Sequence, residues 1–213
     1  MKIHIFGPMH TGTNLMKNIL TTSDLQTNLQ IPVLLEEIVW KHTLDINKIQ
    51  SILNNKDNYV IVMYKNLYNW LYSIKKTSYE IKFSTLNDTV MLNNIKYRNI
   101  IELYNKYYSN YMKLLNYNTT NIIFINYYKI INKNTCFTYI NNKLNKFNMS
   151  ILSIDKMLES LNKPSHNHGT SVNNSEEALS NYFTNQELVK KYIFGKTNIH
   201  QSVDYNIEEY FTK

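Results

Sequence analysis

The stretch KIHIFGPMHTGTNLMKNIL, residues 2 to 20, decides how the chain is expected to fold. A short apolar run ends at Gly7, and apolar side chains then recur at helical spacing over residues 15 to 20. This pattern predicts a buried strand, a tight turn and a helix. Two of the four glycines of the chain, Gly7 and Gly12, bracket the turn. A loop of this kind points several backbone N–H groups into one concavity at a helix N-terminus, where an anion is stabilised.

The two glycines have the spacing of a Walker A loop, but the residues after them differ from that motif. Thr13 and Asn14 stand where a Walker A loop has its lysine and its hydroxyl residue. Nucleoside triphosphate enzymes need Mg²⁺ to neutralise the transferring phosphoryl group, whereas a sulfuryl group carries less charge and can move without a metal. The loop therefore fits an anion that arrives without magnesium. A glycine-rich turn that binds no ligand stays open as the alternative.

His10, Thr11, Gly12, Thr13 and Asn14 resemble the 5′-phosphosulfate loop of the sulfotransferases that use 3′-phosphoadenosine 5′-phosphosulfate (PAPS). In that family the loop joins the first strand to the first helix, and it begins with Lys or Arg where this chain has His10, a weaker and pH-dependent cation. The resemblance implies that these five residues bind PAPS. It also implies a three-layer α/β fold like that of P-loop NTPases, with a central, mainly parallel sheet flanked by helices, in one domain spanning residues 1 to 213.

Candidates for the general base follow the first helix. Residues 38 to 40 predict a short second strand, which would place Lys41 and His42 at its carboxyl end, where open α/β sheets bind ligands. Cytosolic sulfotransferases have their catalytic histidine in a similar Lys-His element, and a histidine can accept the proton of an attacking hydroxyl because its pKa lies near neutral pH. Other branches of the family use a glutamate in this region. Glu36 and Glu37 therefore stay open as alternatives, as does an ordinary surface role for His42.

A second set of nucleotide contacts is expected after the apolar run of residues 59 to 63, which predicts a buried strand. Lys65 follows that run, and Ser73 comes eight residues later in a predicted helix. A cation at a strand end and a hydroxyl two turns into the next helix can bind one phosphate together. Sulfotransferases bind the 3′-phosphate of PAPS with an arginine and a serine at this separation, so the resemblance implies that role for Lys65 and Ser73.

The later part of the chain adds weaker matches to the family. Residues 121 to 126 predict a buried strand, and Tyr127 follows it in the position of the family tyrosine that contacts adenine. Residues 163 to 172 loosely resemble the family's loop over the nucleotide, with His168 and Gly169 as candidate contacts. Two histidines in that loop lack further ligands at suitable spacing, so no metal is expected.

Further helices are expected at residues 45 to 53, 88 to 116, 135 to 146, 153 to 161, 176 to 193 and 206 to 211. The longest of them carries a stripe of tyrosines at helical spacing. Tyrosines in such a pattern pack in a core more often than they stack on nucleic acid bases. We therefore expect them to be buried.

Composition and charge restrict the classes of function. The net charge of +7 comes from lysines spread over 213 residues rather than from one block, so a nucleic-acid surface is not expected. Asn, Ile, Lys and Tyr dominate, which is typical of an AT-rich genome. The single cysteine, Cys136, excludes an internal disulfide. Without a leader-like segment or a long apolar run, the sequence predicts a cytoplasmic protein that does not contact a membrane.

Together these features predict a sulfotransferase that moves a sulfuryl group from PAPS to a hydroxyl or amine of a glycan, another small molecule or a tyrosine, without a metal. His10 and the loop amides would stabilise the departing 5′-phosphate, and His42 would take the proton. Two alternatives stay open. The chain could be a P-loop kinase of nucleotides or small molecules, or a protein of the same fold that binds a nucleotide without catalysis.

Overall fold

The computed structural model describes residues 1–28, 32–65, 70–71, 73–74, 81–84, 88–117 and 120–162. They fall into two compact units. Met1–Lys65 and the described residues from Asn110 onward form the first unit, and the described residues between Asn66 and Ser109 form the second. Within the described ranges, every helix is too short or too polar to cross a lipid bilayer.

The first unit contains most of the regular structure. In chain order its elements are β1 (Lys2–Phe6), α1 (Thr13–Thr22), β2 (Leu25–Thr27), β3 (Leu34–Leu35), α2 (Ile46–Leu53) and β4 (Asn58–Tyr64). The second unit contains the hairpin strands β5 (Val90–Leu92) and β6 (Ile95–Tyr97) and the start of α3 (Ile100–Tyr117), whose last residues belong to the first unit. The first unit continues with β7 (Ile122–Asn126), α4 (Tyr127–Ile131), α5 (Cys136–Leu144), a 3₁₀ turn (Asn145–Phe147), β8 (Met149–Ile151) and α6 (Ile154–Asn162).

The central sheet of the first unit has the strand order β3-β1-β4-β7, and all three pairings are parallel. Phe6 of β1 lies opposite Val62 of β4, and Tyr64 of β4 lies opposite Asn126 of β7. The chain goes from β1 to β3 on one side and then to β4 on the other side. Open α/β sheets bind ligands at the carboxyl ends of the strands that flank such a reversal. The residues that follow β1, β4 and β7 therefore lie together at the carboxyl edge of the sheet.

Both faces of the central sheet are buried. On one face, Ile61 and Ile123 belong to an apolar cluster that also contains buried residues of α1, α5 and α6. On the other face, Phe6 is 2% exposed and Val62 is 0% exposed, and α2 packs against β4. Parallel sheets occur where both faces are covered. The structure thus confirms the α/β class, with a central parallel sheet flanked by helices.

Several predicted elements are confirmed with small shifts of their ends. They are the strands predicted at residues 59 to 63 and 121 to 126 and the helices at residues 45 to 53, 135 to 146 and 153 to 161. Helix α2 begins after Asp45, whose side chain accepts hydrogen bonds from the backbone N–H groups of Asn47 and Lys48. The four tyrosines at positions 104, 107, 108 and 111 of α3 are each at most 1% exposed. They are buried, as expected.

The second strand is not where the sequence pattern placed it. The strand beside β1 is Leu34–Leu35, and residues 38 to 40 form a bend outside the sheet. The pairing of β3 with β1 ends at Glu36, whose backbone N–H donates to the Ile3 carbonyl at 3.0 Å. Ile38, at 65% exposed, and Trp40, at 38% exposed, are therefore not strand residues with a buried face. The prediction of a strand at 38 to 40 is wrong because an apolar run alone does not say whether it faces a core.

The long helix also starts later than predicted. Residues 90 to 97 form a hairpin, and α3 begins only at Ile100. Asn93 and Asn94 connect the two strands with φ values of 50° and 62°. A two-residue hairpin turn with positive φ at both positions favours Asn and Gly, and this turn chemistry outweighs the helical spacing of the flanking residues.

Candidate functional site

The loop between β1 and α1, residues 7 to 14, folds tightly onto the start of the helix. The backbone N–H and the side-chain hydroxyl of Thr11 both donate to the carbonyl of Pro8, at 3.3 and 2.6 Å. His10 and Gly12 have left-handed backbone conformations, with φ values of 62° and 86°. Gly12 is the N-cap of α1, and the first turn of the helix contains no acidic residue. Such a helix N-terminus presents N–H dipoles to an anion without a carboxylate in its own first turn.

The two glycines allow the loop to pack closely against its neighbours. A Cβ atom on Gly7 would lie 2.6 Å from the backbone oxygen of Met63 in β4. A Cβ atom on Gly12 would lie 2.6 Å from the Cδ2 atom of Tyr127, the first residue of α4. The loop therefore lies against β4 and against the residue that follows β7, and a larger residue at either glycine position would push it away.

Lys65 brings a buried positive charge to the same loop. It directly follows β4, is 3% exposed, and its ammonium group donates to the His10 carbonyl at 3.4 Å. The ammonium group also lies 4.1 Å from the centre of the Tyr127 ring, a cation–π distance. Burial lowers the pKa of Lys65 from 10.5 to about 7. Thr13 stands where a Walker A loop has its lysine, and Lys65, at the end of the adjacent strand β4, brings an amino group to the same loop.

His42 and its neighbour hold the loop at Gly7. The Gly7 N–H donates to the Lys41 carbonyl at 3.0 Å, and the Gly7 carbonyl lies 2.7 Å from Nδ1 of His42. A carbonyl oxygen only accepts, so Nδ1 carries the proton and a neutral ring has its lone pair on Nε2. This is the tautomer that a general base at Nε2 requires.

The surroundings of His42 favour the neutral ring. Burial is the main cause that lowers its pKa below 6.5, and the Lys41 cation lowers it further. The hydrogen bond to Gly7 and the Glu37 carboxylate act in the opposite direction, but burial dominates. At neutral pH the imidazole can therefore accept a proton.

The two glutamates lie in different places. The Glu37 carboxylate lies 3.9 Å from the Lys41 ammonium group and 3.7 Å from that of Lys17 in α1. Lys41 also donates to the side-chain oxygen of Asn14 at 2.6 Å, so Glu37 is connected to the loop. The Glu36 carboxylate instead pairs at 2.7 Å with Lys2, at the amino end of β1. Glu37, rather than Glu36, is thus brought together with His42 and the loop.

The roles of three other predicted site residues stay predictions. Ser73 is buried and helical and belongs to the second unit, so its pairing with Lys65 stays a prediction. His168 and Gly169 lie outside the described residues, as do the helices predicted at residues 176 to 193 and 206 to 211.

Tyr127 does lie at the loop, packed against Gly12 and Lys65, and burial raises the pKa of its hydroxyl. Its ring supports the loop from the end of β7. The contact between Lys41 and Asn14 was not predicted, because it joins segments 27 residues apart whose meeting no local pattern indicates.

Neither the models of known protein families nor the curated proteins contain a match to this chain. Its function is therefore inferred from the geometry of residues 7 to 14, 37 to 42, 65 and 127.

Proposed function

We propose that this protein is a PAPS-dependent sulfotransferase with a P-loop-like fold. The observation that carries the proposal is the loop of residues 7 to 14, which opens an α-helix at the carboxyl edge of the sheet with the buried Lys65 at its side. Helix N-termini and loop amides bind phosphate and sulfate groups, and a nearby buried ammonium group adds to the attraction.

The residues around the loop suit an anion without a divalent metal. Thr13 and Asn14 replace the lysine and the metal-binding hydroxyl of a Walker A loop, and Lys65 supplies a cationic group instead. A buried lysine with a pKa near 7 becomes more basic when an anion approaches, so it takes up a proton and becomes positively charged when the anion binds. These features favour the sulfotransferase over a magnesium-dependent kinase.

PAPS, when bound, supplies a sulfuryl group attached to a 5′-phosphate that serves as the leaving group. The acceptor oxygen forms a bond to sulfur while the bond between sulfur and the 5′-phosphate oxygen breaks, which leaves 3′-phosphoadenosine 5′-phosphate. The amides of residues 11 to 14, His10 and Lys65 stabilise the negative charge that develops on the phosphate. Nε2 of His42 takes the proton of the acceptor hydroxyl, and Nδ1 stays bonded to Gly7.

Glu36 and Glu37 are a matched pair of residues for testing whether His42 or a glutamate is the general base. We would measure release of 3′-phosphoadenosine 5′-phosphate from PAPS in EDTA, with pooled phenols, sugars and aliphatic alcohols as acceptors. Acceptor-dependent release is expected from the native protein and from Glu36→Gln, whose carboxylate pairs with Lys2. His42→Ala is expected to lose it, and loss in Glu37→Gln alone would move the base to Glu37.

Two results would overturn the proposal. Phosphoryl transfer from ATP that requires Mg²⁺ would show a kinase. Binding of 3′-phosphoadenosine 5′-phosphate without any transfer would show a nucleotide-binding protein without catalysis.

A further inference from the structure

Two large apolar side chains are exposed on the segment that leads to His42. Ile38 is 65% exposed and Trp40 is 38% exposed, on the segment that connects β3 to α2. The Trp40 ring meets the His42 ring edge to face, with centroids 5.4 Å apart and an interplanar angle of 87°. The exposed apolar surface therefore borders the group that we assign as the base.

This surface is held in place rather than carried on a loosely connected loop. The Trp40 carbonyl accepts the Thr43 N–H at 3.0 Å, which closes a turn around Lys41 and His42. The turn is bonded to Gly7 on one side, and the Thr43 carbonyl accepts the Tyr111 hydroxyl at 3.1 Å on the other. A ligand that stacks on Trp40 would thus be positioned relative to His42 and to the loop of residues 7 to 14.

We propose that Trp40 and Ile38 form the acceptor-binding surface of this enzyme and that the acceptor is a phenol. This inference rests on the proposed sulfotransferase function and gives the class of its substrate. The phenol could be a small aromatic alcohol or a tyrosine side chain, since both present the same ring and hydroxyl.

The chemistry of the surface favours a phenol over a sugar. Ile38 and the Trp40 ring offer carbon atoms and one indole N–H, and a flat aromatic ring buries well on such a pair. A sugar needs partners for several hydroxyl groups, whereas a phenol needs one, which His42 supplies. Lys41 and Glu37, the charged residues of the same segment, contact Asn14 and Lys17 of α1.

The strength of the base also agrees with a phenolic acceptor. Burial lowers the pKa of His42, which makes its imidazole a weaker base. A phenol has a pKa of about 10 and loses its proton far more readily than a sugar hydroxyl, so a weak base is sufficient. In the transfer, the phenolic oxygen bonds to sulfur, the 5′-phosphate leaves, and the proton goes to Nε2 of His42.

Tryptophan fluorescence gives a test of binding that does not depend on catalysis. The chain has two tryptophans, and Trp70 is 0% exposed, so Trp40 is the one that a ligand in solution can reach. Para-cresol and acetyltyrosine amide would be titrated with and without 3′-phosphoadenosine 5′-phosphate, with cyclohexanol and methyl glucoside as non-aromatic controls. We expect a saturable change in fluorescence with at least one phenol and none with the controls. Tighter binding of para-cresol would identify a small aromatic alcohol as the acceptor, and tighter binding of acetyltyrosine amide would identify a tyrosine side chain.

Kinetics with matched variants complete the test. Trp40→Ala is expected to raise the KM for the phenol about tenfold with little change in kcat, and Trp40→Phe to retain most of the affinity. Leu152→Ala removes a side chain that is 58% exposed elsewhere in the first unit and should change neither constant. The inference is overturned if neither phenol changes the fluorescence, or if Trp40→Ala leaves KM unaltered. It is also overturned if methyl glucoside is the better acceptor, an outcome that leaves the sulfotransferase function standing.

Discussion

The ammonium group of Lys65 lies 4.1 Å from the centre of the Tyr127 ring and donates to the His10 carbonyl. Lys65 follows β4 and Tyr127 follows β7, and the register of these strands brings the two residues to the same level. The pair connects the ends of two strands to the loop that follows the third, β1. The loop geometry thus depends on side chains that enter from outside the loop.

Nucleotide binding should depend on pH through Lys65. Its pKa in the folded protein is about 7 against an ordinary value of 10.5, so between these values a bound anion causes the neutral amine to take up a proton and become an ammonium group. The affinity for 3′-phosphoadenosine 5′-phosphate should therefore fall as pH rises from about 7, by up to about tenfold per pH unit. Calorimetry in buffers with different heats of ionisation should detect the uptake of a proton.

Two substitutions distinguish Lys65 from other lysines. Lys65→Arg keeps its charge at all these pH values and should flatten the profile. Lys146 also has a lowered pKa, because it is partly buried, but it bonds to Ile122 at the amino end of β7. Lys146→Arg should leave the profile unchanged. A native profile that does not slope above pH 7 would show that Lys65 does not meet the anion.

The same pKa shift affects the stability of the free protein. Between pH 7 and pH 10.5 the unfolded chain holds the Lys65 proton that the folded chain has released. The Lys65 contribution to the free energy of unfolding therefore increases as pH rises through this window. In urea titrations, the difference in the free energy of unfolding between the native protein and Lys65→Met should become smaller from pH 7 to pH 9. A difference that stays constant over this range would contradict the lowered pKa of Lys65.

Gly12→Ala should lower the free energy of unfolding by at least about 2 kcal/mol. The left-handed φ of 86° disfavours alanine, and the new Cβ would lie 2.6 Å from Tyr127. Adding Tyr127→Ala should recover the steric part of the loss. It should not rescue Gly7→Ala, where the new Cβ meets the Met63 backbone. Equal rescue of both variants, measured by denaturant titration, would argue against this packing.

His42→Ala should reduce kcat by about 10²- to 10⁴-fold, the usual contribution of a general base. The affinity for 3′-phosphoadenosine 5′-phosphate should fall no more than about tenfold, the value of one hydrogen bond to Gly7. Because burial lowers the pKa of His42, the acidic limb of the native rate profile should have its midpoint below pH 6.5. A midpoint above pH 6.5, or normal turnover by His42→Ala, would exclude His42 as the general base.

The hairpin of the second unit should depend on its turn residues. Asn94 has a φ of 62°, so Asn94→Val should destabilise the hairpin by about 1–2 kcal/mol. Asn94→Gly should keep or slightly increase its stability. Hydrogen exchange of the amides of Val90–Leu92 and Ile95–Tyr97 reports on this directly, and identical exchange in both variants would contradict the turn type.

Local patterns predicted much of the fold. The strand, turn and helix of residues 2 to 22 and the buried strands β4 and β7 were readable, because runs of apolar residues and glycines act over short distances. Residues 38 to 40 were misread because their exposure depends on where the sheet ends. The hairpin at residues 90 to 97 has an Asn-Asn turn signal, but the helical spacing of the tyrosines after it was extended too far back.

The site was predicted less completely than the fold. The loop and Lys65 were identified by their positions after strands, and that reasoning holds wherever parallel strands end at one edge. The bond between His42 and Gly7 and the support of Gly12 by Tyr127 join residues 35 and more positions apart. Such contacts follow from sheet order and register, which a single sequence does not determine.

The most direct test of the account is a calorimetric titration of the native protein with 3′-phosphoadenosine 5′-phosphate in EDTA, repeated with ATP and Mg²⁺. We expect saturable binding of the bisphosphate without metal, weakened by Gly12→Ala, and much weaker binding of ATP. Failure of the bisphosphate to bind, or binding of ATP that requires Mg²⁺, would contradict the assignment of this loop to a sulfotransferase.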